Sequence, residues 1–219
     1  QAAYSAGDRA RVARPANRPE AFKKYEEAAT FYRAAGERSG EGSALTNLGV
    51  VSNQLGERQK ALDYLNRALA LHQLVGDQRE QARTYQYMAF ASSALYERQK
   101  SLEYFNQSLR LFQSVGDKVG EASVLQDISG IYNALGESQR ALDYMHLSLS
   151  KSKEVRDRTR QAWATTNIGA LHNNLGDGTR ALQYFNQALS LYREIGDTYG
   201  EGLTLRSIGQ VYVNFRDWP

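Results

Sequence analysis

Laid on itself at an offset of 40 residues, the 219-residue sequence matches along almost its whole length. A period in this range constrains a chain more than any composition can, because it makes the fold a stack of one supersecondary unit. Four full copies start at Glu37, Asp77, Asp117 and Asp157 and give units 37–76, 77–116, 117–156 and 157–196. A half copy, 197–219, follows. Residues 19–36 match the second half of a unit: Ala21, Phe22, Tyr25, Ala28 and Phe31 stand in phase with Ala61, Leu62, Leu65, Ala68 and Leu71. Residues 1–18 form a separate N-terminal segment.

Within a unit the apolar residues recur at three and four, once through Leu45, Leu48, Gly49, Val51, Ser52 and Leu55 and again through Ala61, Leu62, Leu65, Ala68, Leu69 and Leu71. Two such stripes predict a helical hairpin. Gly56, Gly136 and Gly176 follow the first stripe, and Gly76, Gly116 and Gly196 the second, where a helix commonly ends in a left-handed residue. Asp77, Asp117, Asp157 and Asp197 come next, placed to cap the following helix. Tyr96 and Arg156 replace glycine at two of these turns, which must close differently or accept strain. Gly49, Ala89, Ser129, Gly169 and Gly209 make one small column, and Ala61, Ser101, Ala141 and Ala181 another, as expected where helices approach closely. Tyr64, Tyr104, Tyr144 and Tyr184 read as structural rings at the junctions between units.

A lone hairpin cannot bury its own apolar face, whereas a stack can, so the predicted fold class is an all-α solenoid of antiparallel helix pairs. About ten helices of roughly 16 residues, each ~24 Å long, are expected. Composition agrees: three Pro and many unbranched side chains favour helix over sheet.

Charge and chemistry narrow the function. The formal charge is +3, yet residues 1–24 hold six Lys/Arg against Asp8 and Glu20, so the remainder is near neutral. That excludes a long basic footprint for nucleic acid, and the basic leader reads as a solvated terminus. There is no Cys, hence neither a thiolate nucleophile nor a Cys-based zinc site. His72, His146 and His172 do not recur in phase, and no catalytic or phosphate-binding motif is present. The reading is of a protein that is not an enzyme, takes no cofactor or metal, and does not enter a membrane; cytoplasmic location is the default. Because the chain opens on Gln and stops in mid-pattern, it reads as an excised piece of a larger protein.

The stretch TNLGVVSNQLGERQKALDYLNRALAL resembles the tetratricopeptide repeat, with Leu48-Gly49, Ser52, Ala61, Leu65 and Ala68 at its signature positions. The unit is longer than the usual 34 residues. It is similar to the long-repeat subclass of kinesin light chains, Leu-Gly-Asn-repeat adaptors and bacterial arrays associated with CHAT domains. The resemblance implies a right-handed superhelix whose concave groove is lined by the first helix of each unit. It also implies a bacterial multidomain parent.

The helical wheel marks the same groove independently, since positions 43, 46, 47, 50, 53 and 54 lie opposite the core stripe. The expected peptide-binding residues are Asn47, Val50 and Asn53 in the first unit and Arg83, Gln86, Tyr87 and Phe90 in the second. The later units supply Gln126, Asp127 and Asn133, then Trp163, Thr166, Asn167 and Asn173, and finally Arg206. Amides offer a donor and an acceptor each, which suits an extended backbone. In the long-repeat relatives an Asn just before Leu-Gly holds bound peptide, and that residue is matched here by Asn47 and Asn167. The expected function is protein–protein interaction through a peptide or protein segment held in this groove. Two alternatives are an assembly scaffold forming a homo-oligomer through the exposed terminal helix, and a peptide-sensing regulatory domain.

Overall fold

The structure, a computed structural model, describes residues 17–214. The basic leader, except for its last two residues, and the segment from Phe215 onward lie outside the described residues. Among those described there is no strand; ten α-helices follow one another through short turns. They are α1 (Arg18–Ala34), α2 (Arg38–Gln54), α3 (Arg58–Leu74), α4 (Gln78–Ala94), α5 (Arg98–Ser114), α6 (Lys118–Ala134), α7 (Ser138–Glu154), α8 (Arg158–Asn174), α9 (Gly178–Ile195) and α10 (Thr198–Asn214). The chain divides into two compact units, Gln1–Asp117 and Lys118–Pro219. The first contains hairpins α2–α3 and α4–α5 behind α1, and the second contains α6–α7 and α8–α9 followed by α10. Nine helices have 17 residues and α9 has 18.

The turns close as their glycines predict, and the two exceptions accept strain. Gly56 has φ 84° and Gly76 φ 73°; Tyr96 and Arg156 take the same left-handed conformation at 65° and 56°. Their hydrogen bonds also match, with Glu97 N donating to Ser92 O at 3.0 Å just as Glu57 N donates to Ser52 O at 2.9 Å. The hairpin geometry therefore overrides the side chain.

Asp and Glu divide the caps between them. Asp77, Asp157 and Asp177 accept from the backbone N–H three residues on, at 3.0, 2.9 and 3.0 Å, and Asp197 does so from Gly200 at 2.9 Å. Glu57, Glu97 and Glu137 make no such cap. Each instead pairs with the cation three residues on: Lys60, Lys100 or Arg140. At the turn into α2 and the turn into α10, a carboxylate in the new helix bonds back to the old one. Arg33 Nε donates to Glu41 at 2.7 Å and Arg193 Nε to Glu201 at 2.8 Å. At the equivalent place in α4 and α8, Gln81 and Gln161 donate to the carbonyls of His72 and Ser152.

The small columns mark the closest helix contacts within a hairpin. A β-carbon on Gly49 would come within 2.5 Å of Leu65 and 3.1 Å of the Ala61 carbonyl oxygen. Ser129 Oγ donates to the Ala141 carbonyl at 2.7 Å, and Ser101 Oγ to that of Ala89 at 2.8 Å. Around these contacts Leu45, Leu48, Leu65, Phe105, Ile128, Ile168 and Phe185 are almost wholly buried. Each such side chain contributes about 1.5–3 kcal/mol of transfer free energy.

The tyrosine column is structural, but much of its packing is inside the hairpins. Tyr144 stacks on Tyr132 at 5.3 Å and 12°, and Tyr184 on His172 at 5.3 Å and 9°. Only Tyr64, against Phe22, and Tyr184, against His146, reach a preceding repeat with another ring among the described residues.

Candidate functional site

In the first compact unit the face opposite the core stripe is carried by α2 and α4, and packing divides its residues. Asn47 is exposed and Val50 half-buried. Asn53 is half-buried, and its Oδ1 is shielded from solvent without a hydrogen-bond donor. Gln86 is buried, only 5% exposed, so it does not lie open as the wheel implied. Arg83 is tied to Glu80 one turn back. Tyr87 packs on the core around Met88. Phe90 sets its edge against Phe105 at 5.3 Å.

In the second unit the equivalent face holds a small cleft. Its walls are α6 and α8, its floor is Met145 of α7 with Leu171, and its open volume is about 70 Å3. Four predicted residues meet there: Gln126, Asn133, Trp163 and Asn167. Trp163 is 45% exposed, so its ring stands at the rim as a surface and not as core. Asn167 Nδ2 donates to the Trp163 carbonyl at 2.8 Å, which orients its Oδ1 acceptor. Gln126 Oε1 accepts from Arg160 at 3.2 Å. Arg160 is itself 7% exposed and also paired with Asp157.

The remaining predicted residues lie outside that cleft. The Thr166 hydroxyl bonds back to the Ala162 carbonyl at 3.0 Å. Asp127 and Asn173 are half-buried, and Arg206 is exposed on α10. Gly130, Ala170 and Asn174 line the cleft without having been singled out as binding residues. Asn174 occupies position 54 of its repeat, a position the wheel placed on this face; it donates to Asn133 Oδ1 at 3.5 Å.

The histidines are poorly placed for solution chemistry. His72 is fully buried; its Nε2 lies 3.3 Å from Thr46 Oγ1 and its Nδ1 has no hydrogen-bond partner. Burial pushes its pKa below the usual imidazole range, against the opposing charge of Asp77. His146 is lowered as well, by burial and then by His172. No group of three or more His, Cys, Asp or Glu among the described residues could hold a metal ion. No described helix is long and apolar enough to cross a membrane.

Tandem helical hairpins at a constant period, each closing through a left-handed turn, define a helical-repeat solenoid. Sequence comparison names the repeat: residues 42–75 and 160–218 match models of the tetratricopeptide repeat, so the chain carries tetratricopeptide repeats in both segments.

Solved structures show the same fold. BtubC (BKLC) from P. vanneervenii is similar with a TM-score of 0.70 at 16% identity, over 93% of this chain and 92% of that one. Aspartyl phosphate phosphatase F from Bacillus subtilis is similar with a TM-score of 0.77 at 12% identity, over 90% and 56%. A Rap protein complexed with competence and sporulation factor gives 0.74 at 13%, over 90% and 58%. The chain thus spans little more than half the length of the last two. No curated protein matches the sequence.

Proposed function

We propose that this array is a non-catalytic interaction module that holds an extended segment of a protein partner on the exposed face of the first helices of its repeats, α2 and α4 in the first compact unit and, separately, α6, α8 and α10 in the second. The observation that carries the reading is the α6–α8 cleft, where amide side chains and one exposed tryptophan converge over an apolar floor. Amides can pair with a peptide backbone without demanding a sequence, and an exposed indole supplies contact area at low entropic cost. A structurally similar array has been solved with competence and sporulation factor bound, which supports recognition of a polypeptide by this fold.

The test is affinity capture from the source cell with the wild-type chain and with an Asn47→Ala/Asn167→Ala variant of matched helicity. The expected result is a partner retained by the wild type and lost by the variant. Equal capture by both moves the interaction off these faces.

A further inference from the structure

We propose that the 219-residue chain associates head to tail, the open face of α10 in one copy taking α1 of a second copy as the missing half of a hairpin. The contact uses none of the residues assigned to the binding face, so it stands or falls independently of that reading.

The first surface is a stripe of α10. In α2 the stripe Gly42, Leu45, Gly49 and Ser52 is buried throughout, and its two glycines meet the second helix of the hairpin. A β-carbon on Gly42 would come within 2.8 Å of the His72 ring, as one on Gly49 would within 2.5 Å of Leu65. In α8 the equivalent Ala162, Thr165, Gly169 and His172 are buried too, with Phe185 standing 2.8 Å from the same point over Gly169. α10 carries Gly202, Leu205, Gly209 and Tyr212 at these positions, and all four are exposed. Leu205 is 46% and Tyr212 52% exposed. Nothing lies within 4 Å of a β-carbon on Gly202 or Gly209, so both glycine seats are formed and empty. No described helix follows α10 to fill them.

The second surface is its complement on α1. In α3 the residues that face such a stripe, Ala61, Leu65, Ala68 and His72, are all 0% exposed. α1 carries Ala21, Tyr25, Ala28 and Tyr32 in the same phase. The first three are only half-buried and Tyr32 is 37% exposed, because no described helix pairs with α1 as its first half. Tyr25, at the phase of Leu65, fits the seat over Gly209 as Phe185 fits the one over Gly169. Tyr32, at the phase of His72, fits the seat over Gly202. Its contact with Gly40 does not prevent this, since Tyr192 at the same phase packs on Gly200 and on Ala162 together.

The occupant is a second copy because the pairing is one the chain already makes in its four complete hairpins. Neither stripe carries a charge, so closing the contact buries apolar surface without stranding an ion. One stripe offers gaps and the other bulk. The contact is therefore heterologous, with a different surface on each copy.

Sedimentation equilibrium of the intact 219-residue chain, over a dilution series of about two decades in concentration, tests the proposal. The wild type is expected to rise well above the single-chain mass. Gly209→Gln fills the seat on α10 and Ala21→Gln obstructs the stripe on α1; each alone should weaken association about tenfold or more. Both introduce a good helix former at an exposed or half-buried position, so helicity by circular dichroism should match the wild type. Each variant keeps the other face intact, so an equal mixture of the two should reach twice the single-chain mass. A wild type that stays monomeric overturns the proposal. So does association that Gly209→Gln leaves unchanged, an Ala21→Gln variant that still associates by itself, or a mixture that stays monomeric.

Discussion

The ring of Tyr192 occupies the space that a β-carbon on Gly200 would need. Tyr192 closes α9 and is 6% exposed; Gly200 lies eight residues on, in the first turn of α10. Tyr32 and Gly40 repeat the relationship between α1 and α2, where the added carbon would come within 2.5 Å of the ring. Bulk at one position is thus matched by its absence eight residues later at these two junctions; between α7 and α8 the order is reversed, with Ser152 ahead of the bulky Arg160, and between α3 and α4 His72 stands ahead of Glu80, so the trade is not kept in every repeat.

Two alanine substitutions should therefore have opposite signs. Gly200→Ala forces the Tyr192 ring to move and is expected to lower stability by about 1–2 kcal/mol, overpacking outweighing the gain in helix propensity. Gly130→Ala meets nothing within 4 Å and should raise stability by about 0.8–1 kcal/mol from propensity alone. Urea melts of the two variants, followed by circular dichroism, measure both.

The left-handed turns at Tyr96 and Arg156 offer a second test. A non-glycine residue there costs about 1–2 kcal/mol, and Tyr96 is 83% exposed, so little packing is lost on removing its side chain. After the greater unfolded-state freedom of glycine is set against this, Tyr96→Gly and Arg156→Gly should each stabilise by about 0.5–1 kcal/mol. Their effects should be close to additive, because the turn between α4 and α5 and the turn between α7 and α8 share no helix. A fall in melting temperature for either would contradict the strain.

Ser52 and Ser92 are fully buried, and neither hydroxyl has a hydrogen-bond partner. Each has lost water without compensation. Ser52→Ala and Ser92→Ala are expected to stabilise by about 1 kcal/mol apiece. Ser129→Ala, by contrast, breaks a 2.7 Å bond to the Ala141 carbonyl and should destabilise. Denaturant midpoints of the three variants separate the cases.

His72 makes stability depend on pH. Burial lowers its folded-state pKa below the ordinary value of about 6.5, so between the two values the unfolded chain binds more protons and stability rises with pH. The contribution of neutral His72 is fully present above about pH 6.5 and is lost as the pH falls toward its folded value. His146 is lowered too and acts in the same direction. Thermal melts from pH 7.5 to 5 should show a declining midpoint, and His72→Phe, the residue α5 carries at that position, should flatten the decline. An unchanged slope in that variant would assign the dependence elsewhere.

Sequence alone determined the period, the helical hairpins, the left-handed turns and the caps at Asp77, Asp157 and Asp197, because each follows from local chemistry repeated every 40 residues; the cap at Asp177 came only with the structure. It also placed Asn47 and Asn167 on one face of their helices. It did not determine which residues of that face stay accessible: Gln86 and Asn47 share the face, yet one is buried and the other exposed. Nor did it tell that Tyr192 and Gly200 touch. Only the tertiary structure decided these points. Periodicity gives the direction of a side chain from its own helix, whereas burial and contact depend on which side chains the neighbouring helices bring against it.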